Sequence, residues 1–311
     1  MIDFFIALII DLIIGDPQGL PHPVRLMGKI ISTEEGIARK VSGNRKMLKA
    51  CGALIVLANV MLASLVPFMI LKVLRGYPAA FHIVNTYFLY TCFASGCLRK
   101  EAMKIYSAFK DGIHEARLRL SYIVGRDTET LDEKEIVRAA VETVAENTSD
   151  GVIAPMLYAI IGGAPLSFAY KMVNTMDSML GYMNEKYRDI GYFPAKTDDL
   201  FNFIPARITG VLMCAASIFR FDARNGLRIM VRDRRNHKSP NCAYPEGAAA
   251  GLLGVQLGGD NYYFGEIMKK PKIGDRINEL EKEHIKGTVE IMHRSQLLLA
   301  AIYFIVAGVI L

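Results

Sequence analysis

Glu142, Glu146 and Asp150 stand at four-residue spacing in the run Glu142-Thr-Val-Ala-Glu146-Asn147-Thr-Ser-Asp150-Gly151, with Arg138 one step earlier. Residues i, i+4 and i+8 share a helix face, so this spacing predicts one stripe of three carboxylates and a guanidinium. Like charges at that spacing repel. A chain that keeps them gives them a cation to hold, either an arginine or a metal. Because the uncharged segment 151–170 follows directly, the stripe is expected at a membrane edge.

Four other groups of residues carry chemistry. Asn174, Asp177 and Ser178 fall within one helical turn and offer hard oxygen donors of the kind Mg²⁺ takes alongside substrate phosphates; Asp177 equally suits pairing with Lys171 or Lys186. The turn Gly15-Asp16-Pro17-Gln18-Gly19-Leu20-Pro21-His22-Pro23-Val24-Arg25 is stiffened by three prolines. It reads either as a holder of Asp16, His22 and Arg25 for an anionic or amide-bearing substrate, or as a helix stop and surface loop. Arg207 lies inside an apolar run, where a cation is costly and faces protein or a wet cavity. The basic loop Arg232-Asp-Arg234-Arg235-Asn-His237-Lys238-Ser-Pro-Asn241 suits a phosphate clamp or a cytoplasmic flank of positive charge. Asp198-Asp199 reads as a helix-start cap. Glycines at four-residue spacing, Gly247, Gly251 and Gly254 with its neighbours, point to close helix packing. No P-loop, nucleophile elbow, H-E-x-x-H or G-x-G-x-x-G occurs.

The elements that must position these groups are helices, many of them apolar. Hydrophobic residues make up 52% of 311 and the mean hydropathy is +0.24. Cys51–Leu71, Ala79–Leu98, Leu200–Phe219 and Ser295–Leu311 are each long enough to cross a bilayer core. The segment 151–170 is uncharged but broken by Pro155, Gly162, Gly163 and Pro165, a pattern of dipping in and returning. Met1–Ile14 has no basic start or cleavage site and so is no signal peptide; a tilted span and an interfacial helix both remain open. If every segment after residue 15 crosses, 30 Lys and Arg lie on one side and 6 on the other, which puts the long polar stretches in the cytoplasm. The net charge of +6 fits an anionic lipid face without nucleic acid. Five scattered cysteines form no disulfide or zinc pattern. Arg99–Ile123 is amphipathic, and Asp132 with Glu135 forms a capping-box start for the helix that carries the stripe. The expected fold is all-α: a polytopic integral membrane protein of about four to six membrane segments with cytoplasmic amphipathic helices, forming a single membrane-embedded catalytic domain over residues 1–311.

Taken in order, these motifs resemble the membrane-bound adenosylcobinamide-phosphate synthases of cobalamin (vitamin B12) biosynthesis. The resemblance rests on Gly15-Asp16-Pro17…Pro21-His22-Pro23-Val24-Arg25, Glu142…Ala145-Glu146-Asn147…Asp150-Gly151, Asn174-Thr-Met-Asp177-Ser178-Met and Phe203-Ile204-Pro205-Ala206-Arg207. It continues through Arg232-Asp233 with Asn241 and Pro245, and Gly258-Gly259…Tyr262-Tyr263-Phe264-Gly265, covering about residues 3–300. Met176 stands where leucine is expected.

The resemblance implies ATP-dependent amide formation between a propionate of adenosylcobyric acid and the amino group of aminopropanol phosphate or aminopropanol, giving adenosylcobinamide phosphate. ATP makes the carboxylate's oxygen a good leaving group, and Mg²⁺ stabilises the transferring charge. Under that reading Glu142, Glu146, Asp150 and Asp177 belong to one or two Mg²⁺ sites. Glu142, Glu146, Asp177 and Arg207 form the catalytic set. Arg207 with Arg232 or Arg234 holds phosphates, Arg25 or His22 beside Asp16 meets the substrate's phosphate or acid, and Asn147, Asn174 and Asn241 meet corrin amides. The implied partners are the corrinoid, aminopropanol phosphate, the lipid bilayer and other membrane enzymes of the late cobalamin pathway. The implied location is the cell membrane, multi-pass, with the site facing the cytoplasm.

A transporter of a small anionic or corrinoid solute is the rival reading, suggested by Arg207 and the broken segment, but it gives no reason for paired cytoplasmic acids. A phospholipid-type phosphotransferase fails at Asp111-Gly112-Ile-His-Glu-Ala116-Arg117, whose spacing is one residue too long. One conflict follows from the sequence: if 151–170 crosses fully, Asp177 and Asp198 lie opposite Glu146. Either a re-entrant hairpin or a fold-back of 171–199 removes it.

Overall fold

A computed structural model describes the chain except for residues 18–21, 183, 264–265 and 311, and without the side chains of 262, 263, 266 and 310. Pro21 and Phe264-Gly265 of the motifs above therefore lie outside the described residues. In chain order the helices are α1 (Ile2–Ile14), α2 (Pro23–Val41), α3 (Arg45–Leu74), α4 (Pro78–Cys92), α5 (Ser95–Ala108), α6 (Ile113–Ser121) and α7 (Glu133–Asn147). A π-helical stretch, Thr148–Ile153, leads into α8 (Ala154–Leu180), α9 (Tyr192–Phe201), α10 (Phe203–Ala216), α11 (Ala223–Asp233) and α12 (Ala243–Leu253). An antiparallel ribbon of β1 (Leu257–Tyr263) and β2 (Glu266–Ile273) precedes α13 (Glu283–Ile310). The architecture is all-α apart from this ribbon. Chain contacts group into two units, residues 1–94 with 154–202, and residues 95–153 with 203–311.

In the first unit, α3 begins under a side-chain cap, with the Met47 N–H donating to Asn44 Oδ1 at 2.9 Å. Its later turns expose Leu62, Leu65, Val66, Phe68, Met69 and Val73, the surface of a helix that faces lipid rather than water. Buried Asp3 of α1 meets His82 Nδ1 at 2.8 Å and accepts from Asn85 Nδ2 at 2.6 Å. The two polar residues of the 79–98 segment thus satisfy a buried acid. That segment is not one span: Phe93 turns extended, α4 stops at Cys92, and Ser95 opens α5. With 13 residues, α1 is about 20 Å long and cannot cross the hydrocarbon core by itself.

The broken segment doubles back. Gly162 and Gly163 leave helical geometry, and Gly163 takes φ 66°, ψ −161°, a region open in practice to glycine. Ser167 Oγ then donates to the Pro155 carbonyl at 3.1 Å, and the Tyr158 and Tyr170 rings stack with centroids 4.9 Å apart. Twelve residues of straight helix would separate each pair by about 18 Å. Residues 154–161 and 164–180 are therefore two arms of a hairpin.

By length and composition, Arg45–Leu74, a window within Glu133–Leu180 and Glu283–Val309 could each span a membrane, and α9 with α10 supplies a fourth span if taken together. The hairpin bends 154–180 back on itself, and the three to four candidate spans agree with the all-α membrane fold expected. In the second unit Gly247 and Gly251 let α12 lie directly on α11. A Cβ on Gly251 would fall 2.6 Å from the Asn225 carbonyl oxygen and 2.7 Å from Gly226 Cα.

Candidate active site

α7 starts at the capping box its sequence predicts. Glu135 N–H donates to Asp132 Oδ1 at 2.8 Å, and Asp132 N–H donates to Glu135 Oε2 at 2.8 Å. From there the stripe Arg138, Glu142, Glu146 runs into the second unit.

Glu142 is buried and fully engaged. Its Oε2 accepts from Arg126 at 2.5 Å, and its Oε1 accepts the Gly258 N–H of β1 at 2.8 Å. Arg126 also donates to Asn261 Oδ1 at 2.7 Å, while Arg138 donates to the Gly258 carbonyl at 2.8 Å and to Asn261 at 3.1 Å. The acid that opened the stripe thus clamps the β-ribbon to α7. Each oxygen of the expected metal ligand thus has a protein partner, which gives Glu142 a structural role in holding β1. Among the described residues no group of three or more His, Cys, Asp or Glu side chains is placed to hold a metal ion.

Glu146 Oε1 accepts from the Cys242 thiol at 3.2 Å. Burial, with Glu146, Asp150 and Glu246 nearby, pushes that thiol well up. Glu246, at the start of α12 and 3% exposed, was missed by sequence reasoning. Burial, then the charges of Glu142 and Glu146, push its carboxyl well above the usual range, against Lys270 and Arg126. The only sequence signal for it was an acid beside Pro245 at the start of a glycine-rich helix.

Beside these acids lies a cavity of about 400 Å³ lined by Arg207, Arg234, Arg235, His237, Lys238 and Tyr244. Arg207 is held in place: its guanidinium lies 3.6 Å from the Phe203 ring centroid and 4.3 Å from that of Tyr244, and it donates to Asn241 Oδ1 at 3.2 Å. His237 Nδ1 accepts the Ser239 N–H at 3.0 Å, and its Nε2 lies 3.5 Å from Lys270 Nζ of β2. Burial and then Lys270 push the imidazole below its ordinary value, although Glu146 and Glu142 pull the other way. The segment 237–246 thus joins cations on one side to acids on the other. Arg232 is not among the lining cations. It bonds Asp233 at 2.7 Å and Asp275 at 2.8 Å. Asp233 lies below the usual carboxylate range because bonds from Arg232 and the Gly274 N–H outweigh burial.

Asn147 Nδ2 donates to the Thr143 carbonyl at 2.9 Å, a bond along its own helix. The remaining expected residues belong to the first unit. Asp16 Oδ1 lies 3.8 Å from His22 Nε2 and 3.9 Å from Arg25, so the proline turn does hold the three together. Asn174 and Asp177 lie on the return arm of the hairpin, where Ser178 Oγ donates to the Asn174 carbonyl at 2.9 Å. Asp198 accepts from Asn202 at 3.0 Å, and Asp199 pairs with Lys196 at 2.8 Å. Both sit in the last turns of α9 rather than at a helix start.

Residues 4–292 match the CobD/Cbib protein family. The chain belongs to that family. Among CobD/Cbib relatives, the cobalamin biosynthesis protein CobD of Clostridium acetobutylicum is 53% identical over 98% of each chain. That of Geobacter metallireducens is 48% identical over 94% of this chain and 92% of its own. That of Listeria monocytogenes serovar 1/2a is 44% identical over 96% and 97%. No solved structure matches.

Proposed function

We propose that this chain is an adenosylcobinamide-phosphate synthase of cobalamin biosynthesis, an ATP-dependent acid–amine ligase that joins aminopropanol phosphate to a propionate of adenosylcobyric acid. Membership of the CobD/Cbib family supports the pathway. The observation that supports the ligase chemistry is the joining, through 237–246, of a cavity ringed by arginines to a cluster of buried acids. A cavity of this charge suits the triphosphate of ATP, and arginine forks give it bidentate grip.

Each side chain then has a job. Arg207, Arg234 and Arg235 hold phosphates. Lys270, between His237 and Glu246, neutralises charge on the transferring group. Glu146 takes up the proton released as the amine becomes an amide. Asn241 fixes Arg207 and offers an amide edge to the corrin side chains.

Mg²⁺ fits the donors beside this cavity. Glu146 and Asp150 are hard oxygens one turn apart, and the raised proton affinity of neighbouring Cys242 and Glu246 reports a field that favours a cation. When bound, Mg²⁺ supplies charge neutralisation at the nucleotide phosphates. Asp177 and Asn174 keep their expected role toward substrate or metal. We place the site on the cytoplasmic face of the cell membrane.

The test is purified protein in detergent with ATP, Mg²⁺, adenosylcobyric acid and aminopropanol phosphate. Formation of the amide together with nucleotide hydrolysis is expected. Transport of a corrinoid into vesicles without nucleotide turnover would favour the transporter reading instead.

A further inference from the structure

The first unit contains a second site, set apart by the chemistry of its lining. A groove of about 430 Å³ runs between α2, α3, α4 and α8, with a wall that includes Leu26, Ile30, Val66, Phe88, Phe168 and Met172. The Phe88 and Phe168 rings meet edge to face at 5.1 Å and close one side. Among the described residues, His22 and Tyr87 are the titratable side chains on the lining. Leu62, Val66 and Ile70 also line it while showing 42%, 46% and 39% exposure on α3, a candidate membrane span. The groove therefore opens toward hydrocarbon.

At its mouth the character changes. His22 caps α2, its Nδ1 accepting the Val24 N–H at 3.3 Å, so the positive end of a helix dipole lies at the rim. Arg25 stands on the first turn of α2, and Lys171, between wall residues Phe168 and Met172 in sequence, is in electrostatic reach of His22. Asp16 Oδ1 sits 3.8 Å from His22 and 3.9 Å from Arg25. Arg25 and Lys171 thus bring two cations to the mouth, with the Asp16 carboxylate beside Arg25.

We propose that this groove holds one acyl chain of an anionic phospholipid, whose phosphodiester rests at the mouth between Arg25, His22 and Lys171. Three observations favour that occupant over the amine substrate. The wall is apolar apart from Tyr87, which suits an alkyl chain better than a small polar amine or corrin amides. The cations and the helix N-terminus at the mouth complement an anionic phosphodiester. The opening faces the side from which a lipid arrives. This assignment stands apart from the ligase reading and moves His22 and Arg25 out of its substrate site.

The test uses the full-length protein in nanodiscs and in detergent. Native mass spectrometry counts retained phosphatidylglycerol and phosphatidylcholine for wild type, for Arg25→Gln with Lys171→Gln, and for Ala63→Phe, which fills the groove from α3. The charge variant should lose phosphatidylglycerol at least tenfold while keeping phosphatidylcholine. The filled variant should lose both, with an unchanged melting temperature certifying its fold. Retention of phosphatidylglycerol by both folded variants would overturn the proposal. So would its displacement by millimolar aminopropanol phosphate, which would return the cluster to substrate. Wild-type lipid selectivity combined with no ligase activity would sink the proposed function and leave this inference standing.

Discussion

Glu142→Gln separates two readings of the acidic stripe. Glutamine keeps the volume and can still accept the Gly258 N–H, but it removes the ion pair of Arg126 with residue 142 at a position where the arginine side chain is 6% exposed. Breaking one side of a buried pair costs about 3–5 kcal/mol. Arg126 keeps its 2.7 Å bond to Asn261, so the lower end applies, about 3 kcal/mol. At about 1.4 kcal/mol per decade, hydrogen exchange across residues 257–261 should accelerate by roughly 100-fold wherever it proceeds by release of the ribbon. The assay is exchange mass spectrometry in detergent beside a thermal melt. Arg126→Met with Glu142→Leu removes both charges, and stability should recover to within about 1–2 kcal/mol of wild type. A Glu142→Gln protein with wild-type melting and exchange but no turnover would refute the clamp and restore Glu142 to metal or substrate.

Four further outcomes follow from the same geometry. Arg207→Lys loses the planar stack on Phe203 and Tyr244, and KM for ATP should rise at least tenfold, read from initial rates over a nucleotide series. Glu246 has a raised folded pKa, so the folded state keeps a proton that the unfolded state has lost, and stability from this group falls as pH rises above the ordinary carboxylate range. Glu246→Gln should flatten that decline in melting temperature with pH; an unchanged slope would remove Glu246 as its source. Gly251→Ala places a methyl 2.6 Å from the Asn225 carbonyl oxygen and should cost about 1–3 kcal/mol, measured as a lowered melting temperature. Cysteines placed at Ser178 and Thr197 should react with a membrane-impermeant maleimide only from the cytoplasmic side of oriented vesicles. Labelling from outside would end the re-entrant reading.

Periodicity and local chemistry were legible without coordinates. The capping box at Asp132 and Glu135, the apolar run of α3, the grouping of Asp16, His22 and Arg25, and the glycine contacts of α12 all follow from spacing and steric size, which act over a few residues. The ordered motifs carried the family for the same reason: each is local and their sequence along the chain survives any fold. What the chain alone left open was how charges pair across long separations. Glu142 looked like a ligand because its partners, Arg126 and the Gly258 N–H, approach from 16 and 116 residues away. Glu246 and Lys270 carried no local signal, since their significance lies in their electrostatic interaction with groups far along the chain, Glu146 with Glu246 and His237 with Lys270. The glycines and prolines of 151–170 announced a break but not its direction. That was decided by the Ser167 bond to Pro155 and the stacking of Tyr158 on Tyr170, because only tertiary packing selects among the turns that two flexible glycines permit.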